Sequence, residues 1–117
     1  MFPRVEARLL QALDIDASET VLEIGTGSGN LTALMAKLAQ SVDTVELHST
    51  IQEIAKNRLK AFDNIHFHIG DASDNWNDGR EYDVIILTGS VTNIPQAYKE
   101  KLTATFREFD TNVLASA

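Results

Sequence analysis

No cysteine occurs in the 117 residues of this chain. Disulfides, thiolate catalysis and cysteine-ligated metals are thereby excluded, and a reducing, cytoplasmic setting is expected. Basic residues are scarce as well. Ten Lys and Arg stand against 17 Asp and Glu, a formal net charge of −7. The carboxylates are spread along the chain, as on a solvated surface, and a negative surface repels phosphate backbones. A nucleic-acid partner is therefore not expected. No apolar run approaches the roughly 20 residues that span a bilayer. Met1 to Glu6 has no apolar core of the signal-peptide kind, so neither a membrane anchor nor a leader is expected. Gly-x-Ser-x-Gly is missing, and no Walker-type lysine follows the glycines. His66 and His68 alternate on one strand and His48 stands apart; no further ligands at suitable spacing complete a metal site.

What is present is the pattern of one α/β domain, residues 1–117. The chain is 44% hydrophobic and 23% charged, ordinary for a globular protein. Val5, Leu9, Ala12 and Leu13 share a face and predict a helix over Pro3 to Leu13, with proline in its first turn. Thr20 to Ile24 is the first predicted strand. Leu31, Leu34, Met35 and Leu38 predict a helix over Asn30 to Gln40. Val42 to Leu47 is the second strand. A helix over Thr50 to Phe62 follows, capped by Ser49 or Thr50, with Glu53 closing a capping box if Thr50 is the cap. Ile65 to Ile69 is the third strand and Tyr82 to Thr88 the fourth. Val84-Ile85-Ile86-Leu87 has the unbroken apolarity of a strand buried on both faces. Asn93 is expected to cap a helix that starts near Pro95 and runs to about Leu102. The tail offers a further strand around Thr105 to Phe109 and a helix or strand after it. Alternating strands and helices predict a Rossmann-like three-layer fold with a parallel sheet ordered 3-2-1-4, the tail adding an edge strand.

In such sheets ligands bind beyond the carboxyl ends of the strands. Here these ends are the glycine turn after strand one, Glu46 after strand two, Gly70-Asp71-Ala72 after strand three and Thr88-Gly89-Ser90 after strand four. Gly25, Gly27 and Gly29 alternate in a turn where backbone can approach a ligand closely. The helix N-terminus behind it offers free amides. The turn is not a dinucleotide fingerprint, because Asn30 stands where Gly-x-Gly-x-x-Gly needs glycine. Glu23 lies two residues before the first glycine. It disfavours a pyrophosphate and suits an ammonium group. Glu46 is placed to accept from ribose hydroxyls. Asp71 is placed to accept from an adenine amino group, with Ala72 leaving room for the ring. Leu47, beside Glu46, and Thr88 join the candidate cofactor-binding set. Trp76 is expected to pack over the sheet edge.

Glu23-Ile24-Gly25-Thr26-Gly27-Ser28-Gly29 resembles motif I of the S-adenosylmethionine-dependent methyltransferases. Val5 to Leu13, Thr44-Val45-Glu46, Gly70-Asp71-Ala72-Ser73 with Trp76 behind it, and Tyr82 to Gly89 narrow the resemblance to the protein-L-isoaspartate O-methyltransferases. It covers roughly residues 3 to 102. It implies cofactor contacts at Glu23, Gly25, Thr26, Gly27, Ser28, Gly29, Glu46, Asp71 and Ala72. It also implies methyl transfer from S-adenosyl-L-methionine to isoaspartyl carboxylates of damaged proteins, leaving S-adenosyl-L-homocysteine.

Two departures qualify what the resemblance implies. The family has a serine-containing substrate loop in a segment before this chain's first predicted helix, so no catalytic residue is assigned. After Leu102 the family continues with a glycine-rich turn and another core strand. Here Thr103-Ala104-Thr105-Phe106 follows, and Phe106 to Thr111 looks like the family's closing strand, as if an internal piece were missing. An edge left open in this way predicts pairing with a second copy. The competing readings are a cofactor-binding but catalytically silent module and, less well supported by Asn30, an NAD-binding oxidoreductase domain.

Overall fold

The first expected strand is β1, Thr20–Ile24, in a computed structural model that describes residues 14–87, 95–102, 106–109 and 113–116. The helix expected over Pro3 to Leu13 lies outside the described residues. Val21 and Leu22 are fully buried, because β1 has a parallel neighbour on each side: β2 (Ser41–Glu46) and β4 (Val84–Leu87). β3 (Ile65–Ile69) pairs parallel with β2. The expected 3-2-1-4 order is thus the heart of a six-stranded sheet ordered β3-β2-β1-β4-β6-β5. The tail supplies two strands: the one expected around Thr105 to Phe109, and a second where a helix or a strand was expected. β5 (Phe106–Phe109) pairs antiparallel with β6 (Val113–Ser116), and β6 lies antiparallel against β4. Only residues 110–112 join the two strands. So short a link suits a hairpin, whereas parallel pairing needs a long crossover.

Helix α1 (Asn30–Leu38) and helix α2 (Ser49–Arg58) follow β1 and β2. α1 buries Leu31, Met35 and Ala36 against Val21, Val42, Val84 and Ile86. It ends two residues before the expected Gln40. Ala39 is extended, and the Asn64 side chain donates to the Ala36 carbonyl at 2.8 Å. A side-chain donor from 28 residues away thus satisfies a carbonyl the last turn leaves open. α2 starts one residue before the expected Thr50 and ends at Arg58, four residues before the expected Phe62. His48 is its N-cap and makes no side-chain cap bond, so neither Ser49 nor Thr50 caps it and no capping box forms with Glu53. Phe62 leaves the helix to pack on the α1 core cluster.

The other face of the sheet carries a second core of Leu22, Val45, Tyr82, Ile85 and Leu87, covered by Tyr98 and Leu102. Tyr98 belongs to α3 (Gln96–Glu100), whose N-cap is Pro95. Asn93, the expected cap, lies outside the described residues. Tyr82 sits outside β4 but forms a bridge with Leu102. At the opposite end of the sheet from the glycine turn, Asp83 Oδ2 accepts from the Thr20 amide at 2.9 Å, and the Asp83 amide donates back to the Thr20 carbonyl at 3.0 Å. That exchange fixes β1 against β4.

Candidate cofactor crevice

Three strand ends meet at one edge. The Gly25 amide donates to the Val45 carbonyl at 2.7 Å, and the Gly70 amide donates to the Glu46 carbonyl at 3.0 Å. The glycine turn, Glu46 and the Gly70–Ala72 segment therefore lie side by side, as expected. Thr88, the fourth member, lies outside the described residues.

The turn needs its glycines for different reasons. Gly25, Gly27 and Gly29 all have positive φ, which side-chain-bearing residues adopt only at a cost. A Cβ on Gly27 would meet nothing within 4 Å, so the turn opens onto free space there. A Cβ on Gly29 would stand 3.0 Å from Leu59 Cδ1 and 3.3 Å from Ala55 Cβ. Gly29 thus lets the turn pack on α2 and also caps α1, with no side-chain bond at the cap. The first turn of α1 holds no acidic residue, and the positive end of the helix dipole lies behind the glycines. Ser28 is exposed and offers its carbonyl to Arg58 Nη1 at 3.4 Å.

Glu46 is buried and held from both sides. Its Oε1 accepts from the Gly27 amide and its Oε2 from the His48 amide, each at 3.1 Å. A carboxylate offers about four lone-pair sites, so capacity for hydroxyl donors remains. Leu47, next to it, is exposed. Glu23 is 1% exposed. Its Oε1 accepts from the Thr44 hydroxyl at 2.7 Å and from the Thr32 hydroxyl. The Thr26 hydroxyl lies 2.7 Å from that of Thr44.

Asp71 is exposed. Its Oδ1 accepts from the Ser73 amide at 3.1 Å and the Ser73 hydroxyl at 2.9 Å, and those bonds hold its carboxyl below the usual range. Ala72 is buried, and its carbonyl accepts from the Tyr98 hydroxyl. Burial, with Asp74, Asp71 and Asp78 nearby, pushes the Tyr98 phenol up. Trp76, expected over the sheet edge, packs on the second core. A Cβ on Gly70 would come within 2.7 Å of Trp76 Cζ3, so Gly70 is the space the indole fills.

Sequence reasoning missed two polar clusters. One is the threonine set around Glu23. The other centres on Asp43, buried in β2, whose Oδ2 lies 3.2 Å from His68 Nε2, Arg80 Nη1 and the Tyr82 hydroxyl. Tyr82 also donates to Asp78 Oδ2 at 2.6 Å, and Lys101 Nζ lies 2.6 Å from Asp78 Oδ1. The available signal was a carboxylate and a hydroxyl side by side between two valines, Val42-Asp43-Thr44-Val45. Among the described residues no group of three His, Cys, Asp or Glu could hold a metal ion, and no helix is long and apolar enough to cross a membrane.

A parallel 3-2-1-4 sheet with an open glycine turn, an acid at the end of β2 and an Asp-Ala pair after β3 defines the Rossmann-like methyltransferase class. Solved structures agree. One methyltransferase from Thiobacillus denitrificans, in complex with S-adenosyl-L-homocysteine, superposes with a TM-score of 0.73 over 89% of this chain and 46% of its own, at 24% identity. The particular family follows from sequence. The protein-L-isoaspartate(D-aspartate) O-methyltransferase family model matches residues 2–105, and the chain belongs to that family. The protein-L-isoaspartate O-methyltransferase of Dictyoglomus turgidum is 42% identical over 102 residues, 86% of this chain and 46% of the relative. A solved protein-L-isoaspartate O-methyltransferase superposes with a TM-score of 0.77 at 28% identity, over 91% of this chain and 36% of its own. The chain thus spans about half the length of the curated relatives it matches. The β5–β6 hairpin begins where the family match stops.

Proposed function

We propose that this chain supplies the S-adenosyl-L-methionine site of a protein-L-isoaspartate O-methyltransferase, with a protein or peptide carrying an isoaspartyl residue as substrate. The observation that carries the reading is the open space at Gly27 beside a Glu46 whose carboxylate is held in place by two amides, Gly27 of the turn on Oε1 and His48 on Oε2. The donor set fits the cofactor. Glu46 receives the ribose hydroxyls, while Leu47 and Ala72 flank the adenine. Asp71 Oδ2 takes the adenine amino group, since Ser73 holds Oδ1. The main chain from Gly25 to Gly29 lies against the adenosyl portion, with Thr26 and the buried Glu23 behind its ammonium end. When bound, the cofactor supplies an electrophilic methyl group on a sulfonium. A carboxylate acceptor is already a nucleophile, so the protein's task is to align it with the methyl, and no base is assigned in this chain. The absence of cysteine supports a cytoplasmic setting.

A second reading is a cofactor-binding but catalytically silent module. Calorimetry with S-adenosyl-L-homocysteine and NAD tests the shared part. The homocysteine compound is expected to bind and NAD is not; the reverse preference overturns both readings. Methyl transfer to an isoaspartyl peptide then separates enzyme from silent module.

A further inference from the structure

Glu23 is a carboxylate sealed inside the sheet, and a buried charge is tolerated only where hydrogen bonds replace water. Two of the donors come from different elements: Thr32 of α1 and Thr44 of β2 both reach Oε1. An ionised carboxylate only accepts, and each threonine hydroxyl has one proton. Thr44 spends its proton on Glu23. At the 2.7 Å contact between Thr44 and Thr26, Thr26 must therefore be the donor. The relay runs in one direction, from Thr26 to Thr44 to Glu23. All four residues are buried, and Thr44 is wholly so.

This direction has a consequence for the ligand. With its proton committed inward, the Thr26 hydroxyl has only lone pairs to offer, and it joins the glycine turn to a carboxylate that also only accepts. This end of the crevice therefore presents acceptors, which suit a group with N–H donors such as the ammonium of an amino acid. We propose that Thr44 is a positioning residue for the ammonium end of the cofactor, acting through Glu23 and Thr26, with Thr32 as its counterpart from α1. The proposal rests on the reading that the turn binds an adenosyl cofactor. Thr44 itself has no exposed surface with which to touch a ligand.

The test compares two probes on the same protein. S-adenosyl-L-homocysteine carries the amino-acid end, its ammonium and carboxylate on one carbon; methylthioadenosine shares the adenosine and thioether but lacks that end. Thr44→Val keeps shape and strand preference while removing the hydroxyl. It is expected to weaken the homocysteine compound by about tenfold or more, the scale of a hydrogen bond to a charged group. Methylthioadenosine should stay within about twofold by the same arithmetic, and its binding shows that the variant is folded. Thr44→Ser restores the lost affinity. Thr32→Val, changed from a different element, shows the same split. Equal losses for both probes, or no loss for either, overturn the proposal. A wild-type chain that binds neither probe removes the functional reading itself, and the proposal with it.

Discussion

Gly27 and Gly70 both follow strands at the same sheet edge, yet they are glycine for opposite reasons. At Gly27 the space is empty and the backbone is left-handed, with φ +55°. At Gly70 the space is full of Trp76. Gly27→Val places a β-branched residue in a conformation that costs about 1–2 kcal/mol and projects its methyls into the crevice. Calorimetry should show binding of S-adenosyl-L-homocysteine abolished, while circular dichroism still reports a cooperative unfolding transition. Unchanged affinity would remove the turn from the site. Gly70→Ala has no ligand to exclude but drives a methyl to 2.7 Å from Trp76 Cζ3. Overpacking of that kind costs about 1–3 kcal/mol, and the denaturant midpoint should fall accordingly. The alternation at Gly25, Gly27 and Gly29 was legible because a strand, a turn and a helix follow one another there. The packing of Gly29 on Ala55 and Leu59 was not, because those partners lie a whole strand and helix further along.

β2 shows what an element-level pattern conveys and what it hides. Its strand character and the acid at its end were plain from Val42 to Glu46. Its faces were not. Val42, Thr44 and Glu46 turn toward α1 and the glycine turn, while Asp43 and Val45 turn toward the second core. Whether Asp43 and Thr44 are core or surface depends on partners 18 to 39 residues away, and no local period reports those. The cluster under Asp43 also sets a pH dependence through Asp78. Burial alone would raise its carboxyl. Hydrogen bonds from Lys101, Tyr82 and the Arg80 amide, with the Lys101 charge, outweigh burial and hold it below the ordinary 3.8. A carboxyl lowered by folding stabilises the protein above its unfolded value and loses that contribution as pH falls through the folded one. Unfolding free energy measured from pH 6 down to about pH 2 should therefore decline through the acid range. Asp78→Asn should be less stable at neutral pH and should show a shallower decline. The Tyr82 phenol is shifted the other way, chiefly by burial and by its bond to Asp78. It adds stability below the ordinary tyrosine value that is lost in alkali, where the unfolded chain ionises first.

The molecule as a whole is organised by its sheet, and the sheet has two ends. β3 and β5 are the outermost strands of the order β3-β2-β1-β4-β6-β5, and each has a single paired neighbour. The central order was legible because parallel strands with helical crossovers allow few topologies. The position of the tail was not. A strand following Leu102 can join the growing edge directly, or fold back first and let its successor take the inner place. Here the segment that comes last in sequence, β6, lies against β4, and β5 is left outside. An outer strand presents unpaired amides and carbonyls that a second copy can meet. Against this stands a charge of −7 on each chain, whose repulsion is felt within a Debye length of about 8–10 Å at moderate salt. Self-association through an outer edge is therefore expected to be weak and to strengthen as salt screens the repulsion. Sedimentation equilibrium at high protein concentration should show a dimer whose population rises with added sodium chloride. A monomer under all salt conditions would mean that the outer strands are blunted well enough to stand alone, and a dimer weakened by salt would place the contact on opposite charges and not on the sheet edge.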